Sequence, residues 1–385
     1  MVLRTRLTVG GWILLICVCF IPIVLLSLCA GNASHMRPAV ERDEEWKPIV
    51  SVIIPTYNES AIIQDRIENL LRTTYPESKL EIILADDSTD DTASLARSFF
   101  DTTDTDATLR ILETGDRNGV AAALNNAIPA ASGDIVFRTD ADARLVPDAI
   151  PKAVAVLADP SVSGVTGRQA DVIGGSAVES DYRDLLAMLQ SFETHLDSTF
   201  IVHGPCFAFR RAEFEPLPVD TIADDTAIAV LLRRNGGRIV MDPAIEFAEG
   251  GSSSLSGRRT RKDRRAVGLL QQLLRHRDAL GNYGRYGWIV LPLNWGLMIV
   301  GPWVVAAVVA VGTLLGLVAT GPVGLLVPFL GGLFLLAGSK ELLGPLQPLH
   351  AVVDAYLSLL IASLRLVWGD VDVAWEIDDA MREGL

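Results

Sequence analysis

Lysine is scarce in this chain. Of 385 residues five are lysine, and Lys+Arg total 33 against 47 Asp+Glu, thirty of them Asp, for a net charge of −14. That balance excludes broad nucleic-acid binding, which needs a positive field. An acidic surface poor in lysine suits high salt, so a halophilic source is expected. Cysteine is scarcer still. Cys17, Cys19 and Cys29 lie in one apolar stretch as small hydrophobes, and Cys206 stands alone, so no disulfide pattern is present. Internal repeats and low-complexity segments are absent, which excludes a repeat architecture.

Hydrophobicity is present but unevenly spread. Residues 9–30 carry no charge, the length that spans a bilayer core. Residues 286–339 form a longer uncharged run, and Gly321-Pro322 divides it into expected helices over about 297–320 and 322–338. Trp288, Trp295 and Trp303 suit an interface. Residues 351–368 are apolar but hold Asp354 and Arg365, as a third crossing or an interfacial amphipathic helix does. The expected organisation is therefore an N-terminal anchor and linker (1–47), a globular block (48–257), a basic interfacial region (258–287), two transmembrane helices (288–340), and an amphipathic or transmembrane segment with an acidic tail (341–385). Arg258, Arg259, Arg261, Lys262, Arg264, Arg265, Arg275, Arg277 and Arg285 crowd the approach to the second apolar region. By the positive-inside tendency they put the globular block in the cytoplasm of a multi-pass cell-membrane protein. Arg4 and Arg6 before the first apolar segment also resemble the start of a signal peptide; an uncleaved anchor is the reading that keeps the block with cytoplasmic substrates.

The globular block alternates strand and helix. Residues 49–55, 81–85, 109–112 and 134–137 are short apolar, β-branched-rich runs and read as strands. Helices are expected from Ser60, a capping residue, to about Arg72, from Asp90 to about Phe100, and from Val120 to Ala131. Such alternation implies an α/β fold with a mostly parallel twisted sheet and helices on both faces.

Polar residues gather after the strands. Pro55-Thr56-Tyr57-Asn58-Glu59 follows the first, Asp86-Asp87-Ser88-Thr89-Asp90-Asp91 the second, and Thr139-Asp140-Ala141-Asp142 the fourth. Any one of these reads as a turn with helix-capping side chains. Three at carboxyl ends point to a ligand crevice on one sheet edge. Two carboxylates one residue apart suit Mg²⁺ or Mn²⁺ shared with substrate phosphates.

With those motifs quoted, the chain resembles the family 2 inverting glycosyltransferases, which include cellulose, chitin and hyaluronan synthases and dolichyl-phosphate sugar transferases. The resemblance implies a GT-A fold that binds a nucleotide-diphosphate sugar, a UDP-sugar being favoured. Pro55, Thr56, Tyr57, Glu59 and Asp86 would line the nucleotide site, Asp86 against the base, with Asp140 beside them. Asp142, helped by Asp140, would hold Mg²⁺ or Mn²⁺. Many relatives carry Lys where Val120 stands, and Arg117 is the expected substitute towards a phosphate. His203-Gly204-Pro205-Cys206 is similar to the acceptor-side strand, and Asp224-Asp225 resembles the family's acidic pair, with Asp225 the general base. These acids also suit the N-terminus of a helix. Relatives with a polymer-synthase layout often carry Gln-x-x-Arg-Trp. Here Arg261-Lys262-Asp263-Arg264-Arg265 stands in its place, with Arg264 and Arg265 on the acceptor side. Membrane-surface anchoring by these arginines is the competing reading of that cluster.

The implied reaction is a single displacement at an anomeric carbon by a lipid-linked or glycan acceptor. Cys206 and His203 read as pocket or packing residues. The alternatives are a catalytically silent membrane scaffold that keeps the fold, suggested by Val120 and Arg265, and a nucleotidyltransferase.

Overall fold

Val52 and Ile54 point to one side of their strand and Ile53 to the other, and all three are fully buried. A strand covered on both faces belongs in the middle of a three-layer domain. A computed structural model describes residues 37–113, 119–173, 177–250 and 255–369. In it β1 (Val50–Thr56) is central, flanked by β2 (Leu80–Asp86) and β4 (Ile135–Arg138), with β3 (Thr108–Glu113) beyond β2. These four are parallel, and α1 (Ile63–Leu71), α2 (Thr92–Asp101) and α3 (Val120–Ala130) connect them. In this half the expected strands and helices are found within one or two residues. Ser60 differs: α1 starts after Ile62 without a side-chain cap, and the Ser60 N–H instead donates to Asp90 Oδ2 at 3.3 Å.

Beyond β4 the sheet becomes mixed. The order is β3-β2-β1-β4-β7-β6-β8-β5, with β5 at Ala143–Leu145, β6 at Val162–Ile173, β7 at Phe207–Arg210 and β8 at Arg238–Gly250. β7 is antiparallel to β4 and β6, β5 is antiparallel to β8, and β6 is parallel to β8. The parallel half is the one that strand–helix alternation predicts. The antiparallel joint has a consequence for function: it sets the start of β7 beside the end of β4, with Arg138 opposite Phe207.

Helices α4 (Ala149–Leu157), α5 (Ala177–Leu196) and α6 (Asp224–Arg234) complete the domain. One core holds Ile54, Ile67, Leu84, Phe137, Val154 and Phe247; the other holds Ile53, Ile83, Leu124, Phe209 and Ile228. Each such side chain stabilises the fold by roughly 1.5–3 kcal/mol.

The amphipathic helix α7 (Leu255–Arg275) leads to the apolar region. From Tyr286 the chain stays helical through two π-turns and the short α8 (Leu291–Trp295) into α9 (Gly301–Thr320). Gly321, at φ +63°, ends α9 at the expected break, since the left-handed region suits glycine. α10 (Leu326–Ser339) and α11 (Gln347–Trp368) follow. Tyr286–Ser339 and Gly344–Trp368 are long and apolar enough to cross a membrane, by length and composition. Trp288, Leu314, Val318, Phe329 and Leu336 are well exposed along them. The expected anchor at 9–30 and the acidic tail lie outside the described residues.

The basic cluster before these helices is turned inward. Arg259 pairs with Asp263 at 3.0 Å and with Asp354 of α11 at 2.8 Å; Lys262 also pairs with Asp354, and Arg275 with Asp220 at 2.6 Å. These charges dock α7 on α11 and on the domain, which accounts for much of the cluster that membrane anchoring would have explained.

A third core of Phe200, Val230, Leu270, Val290 and Ala362 joins the domain to the apolar helices. Glu193 of α5 is buried beside it and accepts from Phe200 N–H at 2.9 Å, Thr199 Oγ1 at 3.1 Å and Asn294 Nδ2 at 2.5 Å. Burial outweighs these donors and pushes the Glu193 carboxyl up to about 7. Its folded value lies above the unfolded one, so its stabilising contribution is complete below about pH 4.3 and is lost as pH rises through about 7. Glu193→Gln is expected to raise Tm at about pH 8, with the gain vanishing near about pH 5. A pH series of thermal melts checks this, and a pH-independent difference contradicts it.

Candidate active site

The loops after β1 and β2 lock together because their strands are in parallel register, Thr56 opposite Asp86. Thr56 Oγ1 donates to Asp86 Oδ1 at 2.6 Å, and Ser88 Oγ donates to the same oxygen at 2.5 Å. Asn58, at φ +54°, donates its N–H to Ser88 Oγ at 2.8 Å and accepts from Thr89 N–H at 2.8 Å. Left-handed backbone is uncommon outside glycine, and asparagine tolerates it best. The Glu59 N–H donates to Thr92 Oγ1 at 2.8 Å. Asp86 and Glu59 are thereby buried, with Pro55 and Tyr57 half-buried alongside. Arg117 lies outside the described residues.

β4 delivers Asp140 and Asp142 to the same edge. Arg138, at the end of β4 and only 4 % exposed, pairs with Asp140 at 2.7 Å and with Asp224 at 3.1 Å. Asp224 and Asp225 open α6, as expected of acids at a helix N-terminus. Asp225 Oδ2 accepts from the Gly204 N–H at 2.8 Å, so the turn that leads into β7 holds the Asp225 carboxylate. Gly204 is required here: a Cβ would lie 2.0 Å from Arg138 Nη1. Burial lowers the Arg138 pKa, but Asp140, Asp224 and Asp225 overcome it and leave the guanidinium held above its ordinary value. Burial also raises the Asp224 carboxyl; Arg138 opposes, and Asp225 and Asp140 add to it.

Asp142 enters a second cluster. β5 pairs with β8 so that Ala143 lies opposite Glu249, which puts Glu249 next to Asp142. Burial first, then the charge of Glu249, lift the Asp142 carboxyl above the usual carboxylate range; Arg261 pulls it back. Arg261 of α7 donates to Asp142 Oδ2 at 3.2 Å, Glu249 Oε1 at 3.3 Å and the Gly250 carbonyl at 2.8 Å. Arg265 lies 3.7 Å from Glu249 Oε1 and is half exposed. Arg264 is half-buried on the same helix.

Among the described residues no three His, Cys, Asp or Glu side chains form a metal cage. A two-carboxylate site completed by phosphate oxygens needs none. The residues fit a divalent cation: the donors are hard oxygens, and three carboxylates (Asp140, Asp142, Glu249) are close enough to repel and to draw in Arg261.

Four residues were missed as site members: Arg138, Glu249, Arg261 and Arg66. Arg66 is fully buried on the apolar face of α1 and donates to Thr139 Oγ1 at 2.5 Å. Burial and Arg144 lower it to about 9, against the pull of Asp140 and Asp142. Its signal was an arginine at helical spacing among Ile63, Ile67 and Leu70. Arg138 similarly ends an otherwise apolar strand. His203 and Cys206 are packing residues, as expected. Burial, helped by Arg265 and Arg183, pushes His203 down to about 3, and burial pushes the Cys206 thiol up to about 12.

Comparison with known proteins follows the same lines. Residues 51–217 match glycosyl transferase family 2, and residues 135–331 match glycosyl transferase family group 2. The chain belongs to the family 2 glycosyltransferases. It is similar to a mannosyltransferase from Pyrobaculum calidifontis, solved in complex with GDP-Man and Mn²⁺: TM-score 0.79, 28% identity, covering 94% of this chain and 99% of that one. Among curated proteins it is 28% identical over 202 residues to a poly-β-1,6-N-acetyl-D-glucosamine synthase of Staphylococcus aureus, 50% of this chain and 48% of that one. It is 35% identical over 136 residues to glycosyltransferase AglE of Haloferax volcanii, 35% of this chain and 41% of that one. The chain spans about half the length of the curated relatives it matches.

Arg138→Met would strand Asp140 and Asp224 without their buried partner. A loss of about 3–5 kcal/mol is expected, read from chemical unfolding, with partial recovery in the double variant that adds Asp224→Asn. An unchanged unfolding midpoint contradicts the network.

Proposed function

We propose that the protein is a membrane-bound inverting glycosyltransferase that moves a sugar from a nucleotide-diphosphate donor to a lipid-linked or glycan acceptor. The observation that carries this reading is the gathering of Asp86, Asp140, Asp142 and Asp225 at one carboxyl edge of the sheet, in a chain of this family.

Asp86, fixed by Thr56 and Ser88, faces the nucleoside with Pro55, Tyr57 and Glu59. Asp142, helped by Asp140, would hold Mg²⁺ or Mn²⁺, which when bound would supply positive charge against the leaving diphosphate. Asp225, held by the Gly204 N–H, takes the acceptor hydroxyl's proton as the oxygen attacks the anomeric carbon. A phosphate acceptor is already ionised and relies on this step less. The attack and departure lie on opposite faces of the sugar, so one displacement inverts the centre. Arg138 keeps Asp224 and Asp140 in place. Arg264 and Arg265 border the acceptor side.

The apolar helices Tyr286–Ser339 and Gly344–Trp368 support a multi-pass membrane protein, with the catalytic domain in the cytoplasm where sugar nucleotides are made. Two such segments form a modest membrane region, which favours transfer to a lipid-linked acceptor over export of a long polymer. The mannosyltransferase complex with GDP-Man and Mn²⁺ supports a divalent ion and makes GDP-sugars a donor class to test beside UDP-sugars.

Asp142→Ala and Asp225→Asn should each lower transfer by about 10²-fold or more while leaving the thermal melt near that of the parent. A donor screen with Mn²⁺ and Mg²⁺ provides the assay. Near-parental turnover in either variant rules out its assigned role.

A further inference from the structure

Asp142, the residue read as the metal ligand, is already paired. Arg261 reaches it at 3.2 Å and also reaches Glu249 at 3.3 Å, so its guanidinium lies between two carboxylates that repel each other. A third donor bond, 2.8 Å to the Gly250 carbonyl, fixes the head group, and Gly250 N–H in turn donates to the Asp142 carbonyl at 3.1 Å. The arginine is two-thirds buried, so its pairing is weakly screened by salt. By the resemblance, it stands where relatives with a polymer-synthase layout often carry an uncharged glutamine. The substitution therefore places a full positive charge where glutamine offers none.

We propose that Arg261 is a built-in competitor of the divalent ion, pairing with Asp142 and Glu249 until metal and nucleotide diphosphate arrive together. This rests on the reading of Asp142 as a metal ligand. A metal ion and a guanidinium on one carboxylate repel each other even when they sit on different oxygens, so metal on Asp142 opposes the Arg261–Asp142 pair. Without a nucleotide nothing offsets that repulsion, which weakens metal binding. A bound diphosphate supplies a new anion to the same pocket, so metal and nucleotide bind with positive coupling. Linkage makes that coupling reciprocal: the nucleotide tightens metal as much as metal tightens the nucleotide. The chemistry is pure ion exchange, with no bond made or broken. The outcome for function is a site whose carboxylate repulsion is partly offset by Arg261 and which fills with donor and metal as a unit.

The test is Mn²⁺ binding by the purified full chain, read by electron paramagnetic resonance of free Mn²⁺, with and without UDP or GDP. Arg261→Gln should bind Mn²⁺ alone on the order of tenfold more tightly than the parent, with a correspondingly smaller gain on adding nucleotide. Arg261→Lys keeps a cation and should stay near the parent. Arg261→Met replaces Gln if that variant does not fold, a thermal melt being the check. Equal Mn²⁺ affinity in parent and Arg261→Gln, with binding abolished in Asp142→Asn, overturns the competitor role and leaves Asp142 a ligand. Mn²⁺ binding that Asp142→Asn does not change overturns both assignments.

Discussion

The buried guanidinium of Arg138 is the interaction on which the site depends. It ends β4, pairs with Asp140 in the loop that follows, and pairs with Asp224 at the start of α6. Without it, acids from two distant stretches of chain would be buried against one another, at a cost of several kcal/mol for each uncompensated charge. With it they become a brace. Its bulk also dictates glycine at 204, and the Gly204 N–H is the group that orients Asp225. One side chain thus links Asp140, the turn before β7 and the start of α6, where Asp225 stands. The antiparallel turn of the sheet after β4 makes this possible, because it returns β7 to the carboxyl end of β4.

A second arginine performs the matching task on the other side. α7 leaves the domain with a row of basic residues, and their partners are specific: Asp142 and Glu249 in the site, Asp354 on α11, Asp220 on the domain. The same helix therefore touches Asp142 through Arg261 and an apolar helix through Arg259 and Lys262.

The parallel half of the fold was legible because its signals are local. β-branched runs, helical spacing in Ile63, Ile67 and Leu70, and polar loops after each strand are written within a few residues. Asp142 and Asp225 were marked as candidates for the same reason, as short motifs within a resemblance. Glu249 was not. Nothing in its surroundings marks it, and it reaches Asp142 only because β8 pairs with β5 across a hundred residues of chain. Arg138 and Arg66 carried a faint signal, a charge on an apolar strand or helix face, whose meaning needed the partners that topology brings. The basic cluster on α7 illustrates the converse: its composition suggested a lipid surface, and the pairing distances show it engaged largely with protein carboxylates.

The central claim is that Asp142 and Asp225 serve a single displacement, one securing the leaving diphosphate and the other the attacking acceptor. The measurement that tests it most directly is the anomeric configuration of the first-formed product, followed by proton NMR with a turned-over nucleotide sugar and Mn²⁺. Inversion relative to the donor, from the earliest time point, is the predicted result. Retention of configuration would contradict the account, because it requires an intermediate that this arrangement of carboxylates is not assigned to form.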